Sequence, residues 1–213
     1  MNRLPSLAGC LDRNKDARVR IRLARPADAP GIQAVYAPVV AETAISFETE
    51  PPTVTEMAAR VDETLPDHPW LVLEDEGSIL GYSYGHGFAA RAAYRWSVET
   101  SIYVQARARG RGAGQALYTS LLALLRSQGY RQAIGGIALP NPASVALHQS
   151  LGFTAVGVYR NIGWKLGAWH DVELWQLTLG TGEGTPDMPI PLDRLAPGTL
   201  DAAAALGSAR LRL

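Results

Sequence analysis

Residues 102–125 read IYVQARARGRGAGQALYTSLLALL, and this stretch decides the fold. Ile102, Tyr103 and Val104 are β-branched or aromatic and suit a strand. Leu117, Leu121, Leu124 and Leu125 then recur at helical spacing. Between strand and helix lie Arg107, Arg109, Arg111 and the glycines Gly110, Gly112 and Gly114. A glycine turn that opens into a helix is a ready anion site, because the first helical N–H groups lack partners and the macrodipole is positive there. Glycines let a ligand approach the backbone closely, and guanidinium groups match phosphate. The stretch reads as a pyrophosphate cradle, and the plain alternative is an Arg-rich surface turn that caps a helix.

Two common phosphate motifs are excluded. No Gly-Lys-Ser/Thr follows the glycines, so this is not a Walker loop. The third glycine of a dinucleotide fingerprint falls on Gln115 or Leu117, and no acidic residue ends the apolar run Ala133–Ala138. What remains is Arg/Gln-x-x-Gly-x-Gly/Ala, met here by Arg109-Gly110-Arg111-Gly112-Ala113-Gly114. That pattern resembles the acetyl-CoA pyrophosphate loop of the GNAT superfamily of N-acetyltransferases.

The rest of the chain supports an ordinary globule around this unit. Its 213 residues have 47% apolar and 19% charged side chains and zero formal net charge, which argues against a nucleic-acid partner. The single Cys10 excludes an intrachain disulfide framework and fits a reducing cytoplasm. No run of about 18 apolar residues is present, so no membrane span is expected. His86, His148 and His170 lack metal-ligand spacing, so no metal is expected.

Punctuation and periodicity divide the chain into an N-terminal extension (1–18), one α/β domain (19–179) and a C-terminal tail (180–213). Strands are expected at 19–23, 70–74, 79–86, 96–104, 133–138, 154–159 and 172–179, with a loop over 160–171. The stretch 45–50 reads as extended before Pro51-Pro52. Helices are expected after Pro26, with a kink or break at Pro38, then after the capping box Thr53/Glu56, after Gly114, and after the N-cap Asn141. A last helix is expected within 201–213. The sum is an α/β (α+β) domain with a mixed, mostly antiparallel sheet flanked by helices.

Two residues are candidates for chemistry. Alternation along the strand 96–104 places Val98, Thr100, Ile102 and Val104 on the core face and Glu99, Ser101 and Tyr103 on the other. A carboxylate amid apolar strand residues needs a partner or a wet cleft, which makes Glu99 a general-base candidate or, alternatively, a solvated edge residue. Asn141, Ser144 and His148 share one helical face, so His148 is a proton-transfer candidate or a satisfied core histidine.

The chain also carries Pro69-Trp70-Leu71-Val72, Ala90–Trp96, Glu99–Val104, Leu139–His148, Leu151-Gly152-Phe153 and Trp169-His170-Asp171-Val172 in that order. Over residues 20–179 this set resembles the phosphinothricin N-acetyltransferase branch of the superfamily, which includes enzymes for methionine sulfoximine and methionine sulfone. The resemblance implies the GNAT fold, with acetyl-CoA in the splay between the central strands and a small amino-acid-like amine as acceptor. It implies that Glu99 is the base, through a water, and that His148 is a second catalytic residue, as acid or orienter. The cofactor is then held by Ile102, Tyr103 and Val104, by Arg109, Gly110, Arg111, Gly112, Ala113 and Gly114, and by Asn141 and Ser144. Arg91 aligns with a substrate-binding arginine, although a Lys that some relatives carry two positions earlier is Ala89 here. Phe47, Tyr94 and Tyr103 are expected to wall the substrate pocket, and a homodimer is what the branch suggests. Acetylation of a protein N-terminus or another amine metabolite, or an idle CoA-binding module, are the competing readings.

Overall fold

The computed structural model describes residues 19–182 and 184–212, so the expected extension 1–18, with Cys10, lies outside the described residues. Seven strands form one sheet: β1 (Val19–Leu23), β2 (Trp70–Asp75), β3 (Ser78–Gly87), β4 (Ser97–Val104), β5 (Gln132–Ala138), β6 (Thr154–Lys165) and β7 (Ala168–Thr178). Their order is β1-β2-β3-β4-β5-β7-β6. Every neighbouring pair is antiparallel except β4 and β5. That parallel pair is matched only over Ser97–Glu99 against Gln132–Ile134, and beyond this register the two strands part.

Helices cover both faces. On one side α1 (Ala29–Glu42) and α2 (Val54–Thr64) bury Ile32, Val35, Tyr36, Val40, Met57 and Val61 with Trp70, Val72 and Tyr82. On the other, α3 (Ala113–Gln128) buries Ala116, Leu117, Tyr118, Leu121, Leu122, Leu124 and Leu125 against Leu71, Leu73, Val98 and Ile137. Each buried leucine is worth about 1.5–3 kcal/mol of transfer free energy, so α3 anchors the core. α4 (Pro142–Ser150) follows β5, and its Asn141 N-cap accepts from Ser144 N–H.

The expected capping box of α2 is present, with Thr53 and Glu56 exchanging bonds. Gly129 ends α3 at φ 93°, a left-handed stop that glycine takes at no steric cost. Three expectations need correction. α1 runs unbroken through Pro38, because its buried stripe outweighs one lost hydrogen bond and the ring's clash with the preceding turn. Residues 45–50, expected to be extended, bend at 45–46 and again at 49–50. The expected loop 160–171 is instead the tip of a long hairpin, closed at Leu166 (φ 50°) and Gly167 (φ 77°). Two central residues at positive φ make the tight turn that matches strand twist. A bulge between Tyr159 and Gly163 places Asn161 at φ 49°, where the Asp171 carboxylate accepts from Asn161 N–H (2.8 Å) and from Arg160 (2.6 Å).

The C-terminal residues, set apart by composition, lie against the domain. α5 (Thr199–Ser208) starts two residues earlier than expected and packs on α3 and β1. Ser120 Oγ donates to Ala203 O (2.9 Å), and Gly207 sits so close that a Cβ there would lie 2.1 Å from Ser120 Oγ.

Candidate active site

Where β4 and β5 part, a cavity of about 430 Å³ opens. Its walls are Thr100–Val104 of β4, Gly136–Ala138 of β5, the first residues of α3 and the inward face of α4. The glycine loop forms one end. Gly110 (φ 73°) and Gly112 (φ 80°) are left-handed, and Gly112 is the N-cap of α3 without any side-chain cap. The leading N–H groups of α3 are therefore left for a ligand, at the positive end of its dipole. Gly114 faces α4 so closely that a Cβ would lie 3.1 Å from a Leu147 methyl. Arg109 borders this end and donates from Nε to Val104 O (3.3 Å).

α4 supplies the opposite wall through Asn141, Ala143, Ser144, Leu147 and His148. His148 is 3% exposed, and burial pushes its imidazole below the ordinary value. Its Nδ1 lies 2.8 Å from Ser144 O, which can only accept, so the ring proton sits on Nδ1. Nε2 is then an acceptor, and it meets the Tyr118 hydroxyl at 3.3 Å. Thr100 Oγ1 donates to Ile134 O (3.1 Å), so the Tyr118 proton has two acceptors in reach, His148 Nε2 (3.3 Å) and Thr100 O (3.4 Å). Full burial raises the Tyr118 pKa, so the phenol stays neutral and keeps that proton.

The structure thus brings together Ile102, Tyr103, Val104, Arg109, Gly110, Gly112, Ala113, Gly114, Asn141, Ser144 and His148 around one cavity. Arg111 lies on the loop, exposed, and does not border the cavity. Glu99 stands just outside, half-buried, on the strand face expected from alternation, with Oε1 3.9 Å from where a Gly136 Cβ would sit. It is paired across the sheet with His86. Arg91 and Tyr94 are exposed around a short turn before β4, and Phe47 packs over Gly163 of the hairpin beside His170. These three do not border the cavity. Phe47 is held there indirectly, since the buried Lys165 ammonium donates to Val40 O (2.6 Å) and Ser46 O (2.7 Å), tying the hairpin to the end of α1.

The cavity residues not expected from the sequence include Tyr118 and Arg212. Tyr118 stands beside Leu117 in a helix whose surface is buried nearly all round, so its pattern signals core alone. A register clue existed, because residue 118 falls one turn beyond Gly114 on the loop side of α3. Arg212 borders the cavity from the far C-terminus, and no local pattern marks it. Among the described residues no group of His, Cys, Asp and Glu is placed to hold a metal, and no helix is long and apolar enough to cross a membrane.

A sheet splayed between two parallel strands, with an uncapped glycine loop at the head of the following helix, defines a fold built to hold an extended anionic ligand. The family profile for an acetyltransferase (GNAT) domain matches residues 21–175, and the chain belongs to that family. It is 40% identical over 158 residues to a phosphinothricin N-acetyltransferase of Streptomyces viridochromogenes, covering 74% of this chain and 86% of the relative. It is 34% identical over 168 residues to an L-methionine sulfoximine/L-methionine sulfone acetyltransferase of Pseudomonas paraeruginosa, covering 78% and 98% of the two chains. A phosphinothricin acetyltransferase of Sinorhizobium meliloti, solved in complex with AcCoA, superposes with a TM-score of 0.77 at 36% identity over 84% of this chain and 98% of that one.

Proposed function

We propose that the protein transfers an acetyl group from acetyl-CoA to the α-amine of an amino acid resembling phosphinothricin, methionine sulfoximine or methionine sulfone. The observation that carries this reading is one continuous cavity running from the uncapped glycine loop to the Tyr118–His148 pair. The residues fit the cofactor: left-handed Gly110 and Gly112, the α3 N-terminus and Arg109 suit its diphosphate, and Asn141 and Ser144 suit its pantetheine arm. When bound there, acetyl-CoA supplies a thioester as the acyl donor.

The chain's own groups then divide the work. Glu99 takes a proton from the substrate ammonium through a water, since its carboxylate stands behind Gly136 rather than in the cavity wall. Backbone N–H groups where β4 parts from β5 stabilise negative charge that develops on the acyl oxygen. The Tyr118 hydroxyl holds the proton nearest the pantetheine wall, and His148 orients it through the Nε2 acceptor. Arg91, Tyr94, Phe47 and Tyr103 bind the amino acid, with Arg91 taking its anionic group. A homodimer, operation in a reducing cytoplasm, and the absence of metal, nucleic-acid and membrane partners belong to the same reading. So does the division into a domain over 19–179 with arms on either side.

The test is release of free CoA thiol from acetyl-CoA with a panel of acceptors. Turnover on phosphinothricin, methionine sulfoximine or methionine sulfone, well above that on ordinary amino acids and short peptides, is expected. Preference for peptides or other amines would overturn the substrate class.

A further inference from the structure

We propose that the C-terminal strap completes the phosphate end of the cofactor site, with Arg212 serving as a second guanidinium beside Arg109. The inference rests on the acetyl-CoA reading above.

The strap runs the length of α3 and is tied to it at each stage. Near the C-terminal end of α3, Gln128 Nε2 donates to Ile190 O (2.9 Å) and Ile190 N–H donates to Gln128 O (2.9 Å). At the middle, Ser120 Oγ holds Ala203 O, and the absence of a side chain at Gly207 lets α5 touch Ser120 and Ala116. At the N-terminal end the strap meets the glycine loop itself. Arg212 N–H donates to Arg111 O (2.9 Å), and a Cβ on Gly112 would lie 2.1 Å from Arg210 O. Leu211 packs into the α3 core cluster between these two contacts.

The consequence is chemical as well as mechanical. Arg212 borders the cavity together with Arg109, Gly110 and Gly112. Among the described residues no carboxylate pairs with Arg109 or Arg212, so two cations stand un-neutralised at the end where the α3 dipole is also positive. A diphosphate, with its bidentate acceptor geometry, is the ligand that this pair of forks matches. The strap lies beyond residue 175, where the family match ends. Gly112 acquires a second reason to be glycine, for it must leave room for the strap as well as the ligand.

Calorimetry with acetyl-CoA on the full chain tests the proposal, using Arg212→Gln, Arg212→Lys and, as a charge control, Arg210→Gln, whose side chain does not border the cavity. Loss of one charge-assisted contact is expected to weaken binding about tenfold in Arg212→Gln, with partial recovery in Arg212→Lys and little change in Arg210→Gln. Equal weakening toward 3′-dephospho-CoA is expected, because the contact is to the diphosphate. Unchanged affinity in Arg212→Gln, or equal losses in both glutamine variants, would overturn the proposal, and a loss confined to CoA bearing the 3′-phosphate would overturn the diphosphate assignment. Failure of the wild-type chain to bind acetyl-CoA would instead strike the cofactor reading.

Discussion

At the scale of single residues, catalysis and stability place opposite demands on the groups around the splay. The proposed base role of Glu99 requires contact with water, whereas His148 and Tyr118 are buried, neutral and hydrogen-bonded to each other. Glu99→Gln keeps the shape of the side chain and removes its basicity. Turnover is expected to fall by about 10²–10⁴, with acetyl-CoA affinity nearly intact, and unchanged turnover would remove Glu99 from the mechanism. His148 yields a stability prediction whose sign follows from burial. Its folded pKa lies below the unfolded value of 6.5, so as pH falls through 6.5 the unfolded chain takes a proton that the folded chain refuses. Stability is therefore lost as pH falls below about 6.5, until the depressed folded pKa is reached. Thermal melting at pH 7.5 and 5.0 should show a larger drop for the wild type than for His148→Asn. His68, lowered by burial too, is present in both proteins and cancels in the comparison. Equal drops would mean that His148 titrates normally. Alternation alone placed Glu99 on the right face, and helical spacing brought Asn141, Ser144 and His148 together, because these are local periodicities. Tyr118 and Arg212 were hidden since their roles depend on which elements meet across the fold.

At the scale of elements, the legible pieces were those with their own punctuation: the capping box of α2, the Asn141 N-cap, and the glycine stops at 129 and 152. The hairpin tip is hidden from periodicity for a physical reason. Tyr159, Ile162, Trp164, Leu166 and Trp169 all face solvent, so apolar residues there do not mark an inward face. The turn is closed by a leucine at positive φ, an uncommon choice for a branched side chain. The strap's Gly, Pro and Ala composition resembles a linker, yet small residues are what allow α5 to lie on α3. Gly207→Val tests this. Its side chain would meet Ser120 Oγ and Ala116 O, so the variant is expected to lose roughly 1–3 kcal/mol of stability. The change should appear as a lower melting temperature and as faster proteolysis within 184–212. A fully stable Gly207→Val would mean that α5 is only loosely seated.

At the scale of the whole molecule, the two edges of the sheet are finished differently. β1 is a short edge of five residues that carries Arg20 and Arg22, both bonded to Glu74, and α5 packs beside it. Charge, brevity and cover are the usual guards against edge-to-edge pairing. β6 is an edge of twelve residues, and with β7 it exposes Val156, Tyr159, Ile162, Trp164, Leu166 and Trp169. Trp164 and Trp169 are each 59% exposed and meet edge to face on this hairpin. Exposed aromatic surface of this kind usually marks an interaction site, and the proposed homodimer would bury it symmetrically. The hairpin also lies against Phe47, so pairing there would stiffen the loop assigned to substrate. In sedimentation velocity the wild type is expected to run as a dimer, and the double variant Trp164→Glu, Trp169→Glu as a folded monomer. Two large aromatics replaced by charges should raise the dimer dissociation constant by 100-fold or more, given that buried aromatic anchors at interfaces are worth about 2 kcal/mol or more each. The acetyl-CoA affinity of that monomer should hold, because the glycine loop and strap lie on other elements. A wild type that stays monomeric at high concentration would exclude self-association through this face.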